Sequence, residues 1–187
     1  MTLVLLICGS PRQPSYTRVL MRAVEKSLQD KGATTSFWDL REQPLPLLDP
    51  EFHENPAKNP NKKVHELVLL AEKADAFVLG SPVYHNSYSG ILKNALDNLA
   101  IEQFEHKPCG LLSHGGHRST QPMDHLMVVV RGLNGIAIPT RVCTKEEDYR
   151  TTDSSYELAD ADIKKRVERF AKELLKYAEH LKTMRAQ

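Results

Sequence analysis

The chain has 187 residues, with 25 basic and 24 acidic side chains and a formal net charge of +1. That length fits one domain with room for a three-layer core, and the balanced charge excludes a global field that would draw nucleic acid or another polyanion. Cys8, Cys109 and Cys143 are scattered in or beside apolar runs with no C-x-x-C pair, which predicts reduced core thiols in a cytoplasmic protein, not a disulfide framework or zinc. The apolar run Thr2 to Ile7 is too short for a membrane span or a signal-peptide core, so no membrane partner is expected.

In chain order, Leu3 to Ile7 is continuously apolar, as a central parallel strand covered on both faces should be. Cys8-Gly9-Ser10-Pro11-Arg12-Gln13-Pro14-Ser15 ends it, and Leu20, Val24 and Leu28 mark a helix that stops at Gly32. Thr34 to Leu40 alternates and includes Trp38, which predicts a second strand. Pro44, Pro46, Pro50, Pro56 and Pro60 then exclude a regular helix over most of 41–60. A helix resumes after Asn61 on Val64, Leu67, Val68 and Ala71, and Ala76 to Leu79 is a third buried strand.

The turn from Ser81 to Ser89 holds more aromatic and hydrogen-bonding capacity than reversing a chain requires. Ser89 is the predicted N-cap of a helix on Ile91, Leu92, Ala95, Leu96 and Leu99. Cys109 to Leu112 predicts a fourth strand, Met123, Leu126, Met127 and Val130 a helix ending near Gly132, and Gly135 to Val142 a fifth strand. A polar segment, Thr144 to Ala159, precedes a last helix striped by Ile163, Val167, Phe170, Leu174, Ala178 and Leu181. Five strands alternating with five helices over residues 1–187 predict an α/β, flavodoxin-like three-layer sandwich, a parallel sheet of order 2-1-3-4-5 in one domain.

In such a sheet ligands bind where strands end and helices begin, beside the first strand. The first loop there offers Ser10, Arg12, Ser15, Tyr16 and Thr17, that is, hydroxyl donors, helix N-terminal N–H groups and one guanidinium, suited to a phosphate monoester. Neither a nucleotide P-loop nor a G-x-G-x-x-G fingerprint is present. The loop after the third strand adds Pro82, Val83, Tyr84, His85, Asn86 and Ser87 as an aromatic and amide-bearing wall. The loop after the fourth adds Ser113, His114, Gly115, Gly116 and His117, whose glycines let a planar ligand approach the main chain. His114 and His117 lack a third ligand nearby, so no metal is expected. A phosphate site, a wall and a glycine-lined edge match the phosphate, ribityl chain and flat ring of FMN.

G-S-P-R-x-x-S-x-T after the first strand and S-P-V-Y-H-N-S-Y-S-G-I-L-K-N-A-L-D after the third resemble the NAD(P)H-dependent FMN reductase family, flavodoxin-like enzymes that include azobenzene and quinone reductases. The similarity runs on through E-Q-F-E-H-K-P, the Gly-Gly loop and V-V-R-G-L-N-G-I-A-I-P. The resemblance implies bound FMN, with NADPH or NADH as hydride donor and a flavin, quinone or azo compound as acceptor, exchanged in a ping-pong sequence. It places Ser10, Arg12, Ser15 and Thr17 on the phosphate with Tyr16 beside them, and Pro82 to Ser87 on the ribityl chain and one ring edge. Gly115 and Gly116 would face the pyrimidine edge, their N–H groups stabilising charge at N1 and the C2 carbonyl. His114 and His117 are larger than the residues expected around this turn. No side chain is expected to act as nucleophile or general base, and a homodimer or homotetramer is implied. Arg18, Arg118 and His117 are the basic residues that a 2′-phosphate of NADPH could meet. An electron carrier of the same fold without its own turnover ranks second, because such carriers dock through acidic surfaces and this chain is balanced in charge.

Overall fold

The computed structural model describes residues 1–185. Its main sheet contains β1 (Leu3–Cys8), β2 (Thr34–Asp39), β3 (Ala76–Pro82), β4 (Pro108–His114), β5 (Ile136–Ala137) and β6 (Val142–Thr144). The order is β2-β1-β3-β4-β5, with β6 also paired to β4 and every pairing parallel. The helices are α1 (Tyr16–Asp30), α2 (Lys62–Lys73), α3 (Gly90–Asp97), α4 (Ile101–Phe104), α5 (Gln121–Gly132) and α6 (Ala161–Arg185). This is the expected strand order, and it follows from the apolar runs.

The two-residue period of β1 sorts the layers. Leu5 and Ile7 join Phe77, Leu79 and Leu111 under α2, α3 and α5, while Val4, Leu6 and Cys8 join Val78 and Leu112 under α1 and α6. All five residues from Val4 to Cys8 are fully buried, which is why the run shows no polar alternation. Two glycines admit large partners: a Cβ on Gly80 would collide with Met21, and one on Gly110 with Phe170. Among the described residues, no helix is long and apolar enough to cross a membrane.

Three expectations are corrected. The fifth strand, read over 135–142, is two short pieces, because Pro139 cannot donate to a ladder and Thr140 is turned onto Glu173, whose carboxylate accepts from its backbone N–H at 3.0 Å. Both pieces pair with β4, so the order of the sheet survives. The polar segment 144–159 is not a plain loop: it holds a 3-10 turn, Glu146–Asp148, and an antiparallel hairpin, β7 (Tyr149–Thr151) with β8 (Tyr156–Leu158). Cys8 and Cys109 are core, but Cys143 is half-buried at its margin. The proline-rich stretch contains two 3-10 turns, Pro50–Phe52 and Pro56–Lys58, and is pinned to α3 by Asn94, which accepts from Leu48 N–H at 3.0 Å and donates to Pro46 O at 2.8 Å.

Candidate cofactor site

Sheet register brings the three loops together. Cys8 lies beside Gly80, Ser81 beside Ser113 and Pro82 beside His114, so β1, β3 and β4 all release their chains at one edge. Gly9 N–H then donates to Gly80 O at 2.8 Å, and a Cβ on Gly9 would stand 2.8 Å from Leu92 Cβ and 3.1 Å from that same carbonyl. Ser89 caps α3 by accepting from Leu92 N–H and also donates to Gly9 O at 2.6 Å, tying the first loop to the second. Val83 N–H donates to His114 O at 2.8 Å, and a Cβ on Gly115 would collide with Val83, so the second and third loops touch at backbone distance.

The first loop forms a cradle at the N-terminus of α1. Ser15 is its N-cap, accepting from Arg18 N–H at 3.2 Å, and its hydroxyl donates to Ser10 Oγ at 2.7 Å. Ser10, Ser15 and Thr17 are buried, whereas Arg12 is exposed, and among the described residues its guanidinium enters no ion pair. A cavity of about 200 Å³ is lined by ten of the predicted residues, Ser10, Arg12, Ser15, Tyr16, Thr17, Pro82, Val83, Tyr84, His114 and Gly115. Anionic groups are favoured here by the orphan N–H groups of the first turn and by the positive end of the helix dipole.

The remaining predicted residues lie around that cavity. Tyr84 to Ser87 is a tight turn closed by two backbone bonds, Tyr84 N–H to Ser87 O at 2.9 Å and Ser87 N–H to Tyr84 O at 3.0 Å. Positive φ at both His85 (47°) and Asn86 (63°) makes it a type I′ turn, which projects both side chains into solvent. Ser87 is half-buried and meets His125 of α5. Ser113 is turned inward, donating to Ser119 O at 2.8 Å. Gly116 and His117 border a neighbouring pocket of about 510 Å³ with His114, Arg118, Lys145, Glu146 and Glu147.

Several roles differ from those read in the sequence. Gly115 N–H is committed to Thr144 O at 3.0 Å, whereas Gly116 is exposed. Tyr16 is buried in an aromatic stack, with its ring centroid 3.7 Å from that of Tyr156 and 4.5 Å from that of His114. Arg18 does not await a 2′-phosphate: it pairs with Asp39 through two nitrogens and donates to Arg12 O at 2.9 Å and Ser10 O at 3.1 Å. Arg118 is likewise committed, to Asp148 and Asp160. Asp39, Thr144, Tyr156 and His125 are thus site-supporting residues absent from the sequence reading, which has Ser89 as an N-cap and Arg18 as a candidate for the 2′-phosphate. Asp39 closes the second strand facing the first loop, and parallel pairing of Cys8 with Asp39 was the one signal that could have located it.

The thiol of Cys8, beneath the cradle, is pushed up to about 11, mainly by burial, and is neutral at physiological pH. His114 is driven the other way. Burial first, and the Arg12 charge second, lower it from 6.5 to about 4, so the ring is neutral at pH 7. The unfolded chain therefore takes up this proton between about pH 6.5 and 4 and the folded chain does not, so His114 makes stability fall as pH drops through that window. Urea unfolding at pH 7 and pH 4.5 should show a smaller acid-induced loss for His114→Phe than for the wild type. Equal losses would contradict the neutral, stacked imidazole.

A parallel sheet of this order, flanked by helices on both faces, defines a flavodoxin-like fold. The sequence profile of the NADPH-dependent FMN reductases matches residues 2–148, and the chain belongs to that family. Similar proteins include the FMN-dependent NADPH-azoreductases of Staphylococcus saprophyticus, 38% identical over 95% of this chain and 98% of its own length, and of Staphylococcus aureus, 37% identical over the same shares. Among solved structures, a flavoenzyme NAD(P)H:(acceptor) oxidoreductase from Paracoccus denitrificans superposes with a TM-score of 0.73 at 21% identity, covering 95% of this chain and 99% of its own. An oxidoreductase from Corynebacterium diphtheriae superposes with a TM-score of 0.72 at 22% identity, over 96% and 98%. At those identities the structures bear on the fold alone.

Proposed function

We propose that the chain is an FMN-dependent NAD(P)H oxidoreductase that reduces free flavins, quinones or azo compounds, its donor and acceptor using the same open face in turn. The observation that carries this reading is the cradle: three buried hydroxyls, the first-turn N–H groups of α1 and the uncommitted Arg12 converge on one small cavity. That donor set fits a phosphate monoester, which a guanidinium grips through two charge-assisted bonds. At about 200 Å³ the cavity falls below the ~300–1,000 Å³ of pockets that enclose a drug-sized ligand. It suits the phosphate end of FMN, and the Tyr84 wall and the Gly115–Gly116 turn beside it would hold the rest of the cofactor.

When bound, FMN supplies the two-electron chemistry, accepting hydride from a nicotinamide and returning it to an oxidant. The chain's part is binding and orientation. Arg12, Ser10, Ser15 and Thr17 would hold the phosphate, Pro82 to Ser87 would line the ribityl chain and one ring edge, and the Gly115–Gly116 turn would face the pyrimidine edge. We assign NADPH as the donor, following the named activity of the staphylococcal relatives. The three free cysteines support a cytoplasmic setting. Self-association as a dimer or tetramer is inferred from the family alone.

The test is spectroscopic. Protein supplied with FMN under anaerobic conditions should lose its visible flavin absorption within seconds of adding NADPH and regain it on adding a quinone or azo dye. Bound flavin that refuses hydride would instead make the chain an electron carrier.

A further inference from the structure

The wall from Tyr84 to Ser87 is a projection anchored at its base, Val83 N–H donating to His114 O at 2.8 Å and Ser89 N–H to Ser81 Oγ at 2.9 Å. It carries two non-glycine residues at positive φ, His85 and Asn86, a conformation that costs free energy and persists when its surroundings over-determine it. Its two backbone bonds are internal to the turn and fix its shape but not its direction. Among the described residues, one side-chain hydrogen bond ties residues 84–87 to another element: Ser87 Oγ to His125 Nδ1, 2.9 Å long and 38 residues apart in sequence.

His125 is well placed to give that direction. It lies on α5, whose Met123 and Leu126 are fully buried beneath it, so its backbone is fixed by the core while its ring is exposed. The neutral ring accepts from the Ser87 hydroxyl through unprotonated Nδ1; with Nδ1 protonated, the ring donates to the same oxygen, so the tether survives either state. In the single chain the bond is exposed, so that water competes for it, and there it contributes little to the stability of the fold.

We propose that His125 is a positioning residue for the flavin: it holds the Tyr84–Ser87 wall against the open side of the site by its bond to Ser87. The inference rests on the FMN-binding reading above and adds to it a residue from an element that reading does not use. It requires an acceptor or donor at the position of Nδ1 and nothing else of imidazole, so asparagine at 125 should substitute.

The experiment is a titration of the full-length chain with FMN, followed by quenching of flavin fluorescence, alongside thermal melts. His125→Ala is expected to weaken FMN binding roughly two- to tenfold with a melting midpoint within about 2 °C of wild type. His125→Asn should restore the affinity. Ser87→Ala should weaken binding as His125→Ala does, and the double variant should be no weaker than the weaker single one. The proposal is overturned if His125→Ala binds like wild type while Arg12→Ala does not, if His125→Asn is as weak as His125→Ala, or if the two losses multiply in the double variant. A fall of more than about 5 °C in the alanine variant also overturns it, since His125 would then be part of the fold. A wild-type chain that fails to bind FMN would remove the functional reading itself, and this proposal with it.

Discussion

Arg18→Ala is expected to be the most damaging single change at the site, in both stability and FMN affinity. Arg18 is a scaffold for the cradle: its guanidinium spans Asp39 on β2 and the carbonyls of Ser10 and Arg12 in the first loop. Its side chain is 16% exposed and that of Asp39 9%, so truncation strands a nearly buried carboxylate. Breaking a fully buried pair costs about 3–5 kcal/mol, and the residual exposure lowers the expectation to about 2–3 kcal/mol. Urea denaturation gives this directly, and isothermal titration with FMN should show at least a tenfold loss as the loop slackens. Arg18→Lys should recover little, because an ammonium cannot span two carboxylate oxygens and two carbonyls as a planar fork does. A variant as stable as wild type with unaltered affinity would refute the scaffold.

Arg12→Ala separates binding from scaffolding. Arg12 is exposed, and its one aromatic contact is loose, 5.9 Å from guanidinium carbon to the Tyr16 ring centroid. Its removal should leave the denaturation midpoint nearly unchanged. On the proposed reading the phosphate would lose a charge-assisted and bidentate partner, worth about 1.5–3 kcal/mol, or roughly ten- to a hundredfold in FMN affinity. His114 provides an internal check, because Arg12 is the second cause of its lowered pKa: in Arg12→Ala the imidazole should titrate closer to 6.5, observable by proton NMR. Affinity within a factor of two of wild type would remove Arg12 from the phosphate site.

The contrast between these two arginines marks how far the sequence could be read. The sheet order was legible because Leu3 to Ile7 and Ala76 to Leu79 are apolar at every position, and only a central parallel strand buries both faces. The cradle was legible because capping and anion binding use the same residue types at a helix start. Arg18 carries the same charge as Arg12 on the next turn, and its partner Asp39 is 21 residues away, so only the parallel register of β1 with β2 assigns it to structure. The β7–β8 hairpin was hidden because its three-residue strands, Y-R-T and Y-E-L, are mostly solvent-facing and show little apolar alternation. The Gly115 and Ser113 roles were invisible for a related reason: both depend on where other segments of the same chain run, Thr144 O for one and Ser119 O for the other.

The most direct test of the cradle as an FMN phosphate site compares FMN with riboflavin, which has the same ring and ribityl chain but no phosphate, on the wild-type protein. Fluorescence titration at constant ionic strength should show FMN binding at least about a hundredfold tighter, because the hydroxyls, the α1 N-terminus and Arg12 all act on the phosphate alone. Equal affinities for the two flavins would contradict the account at its centre.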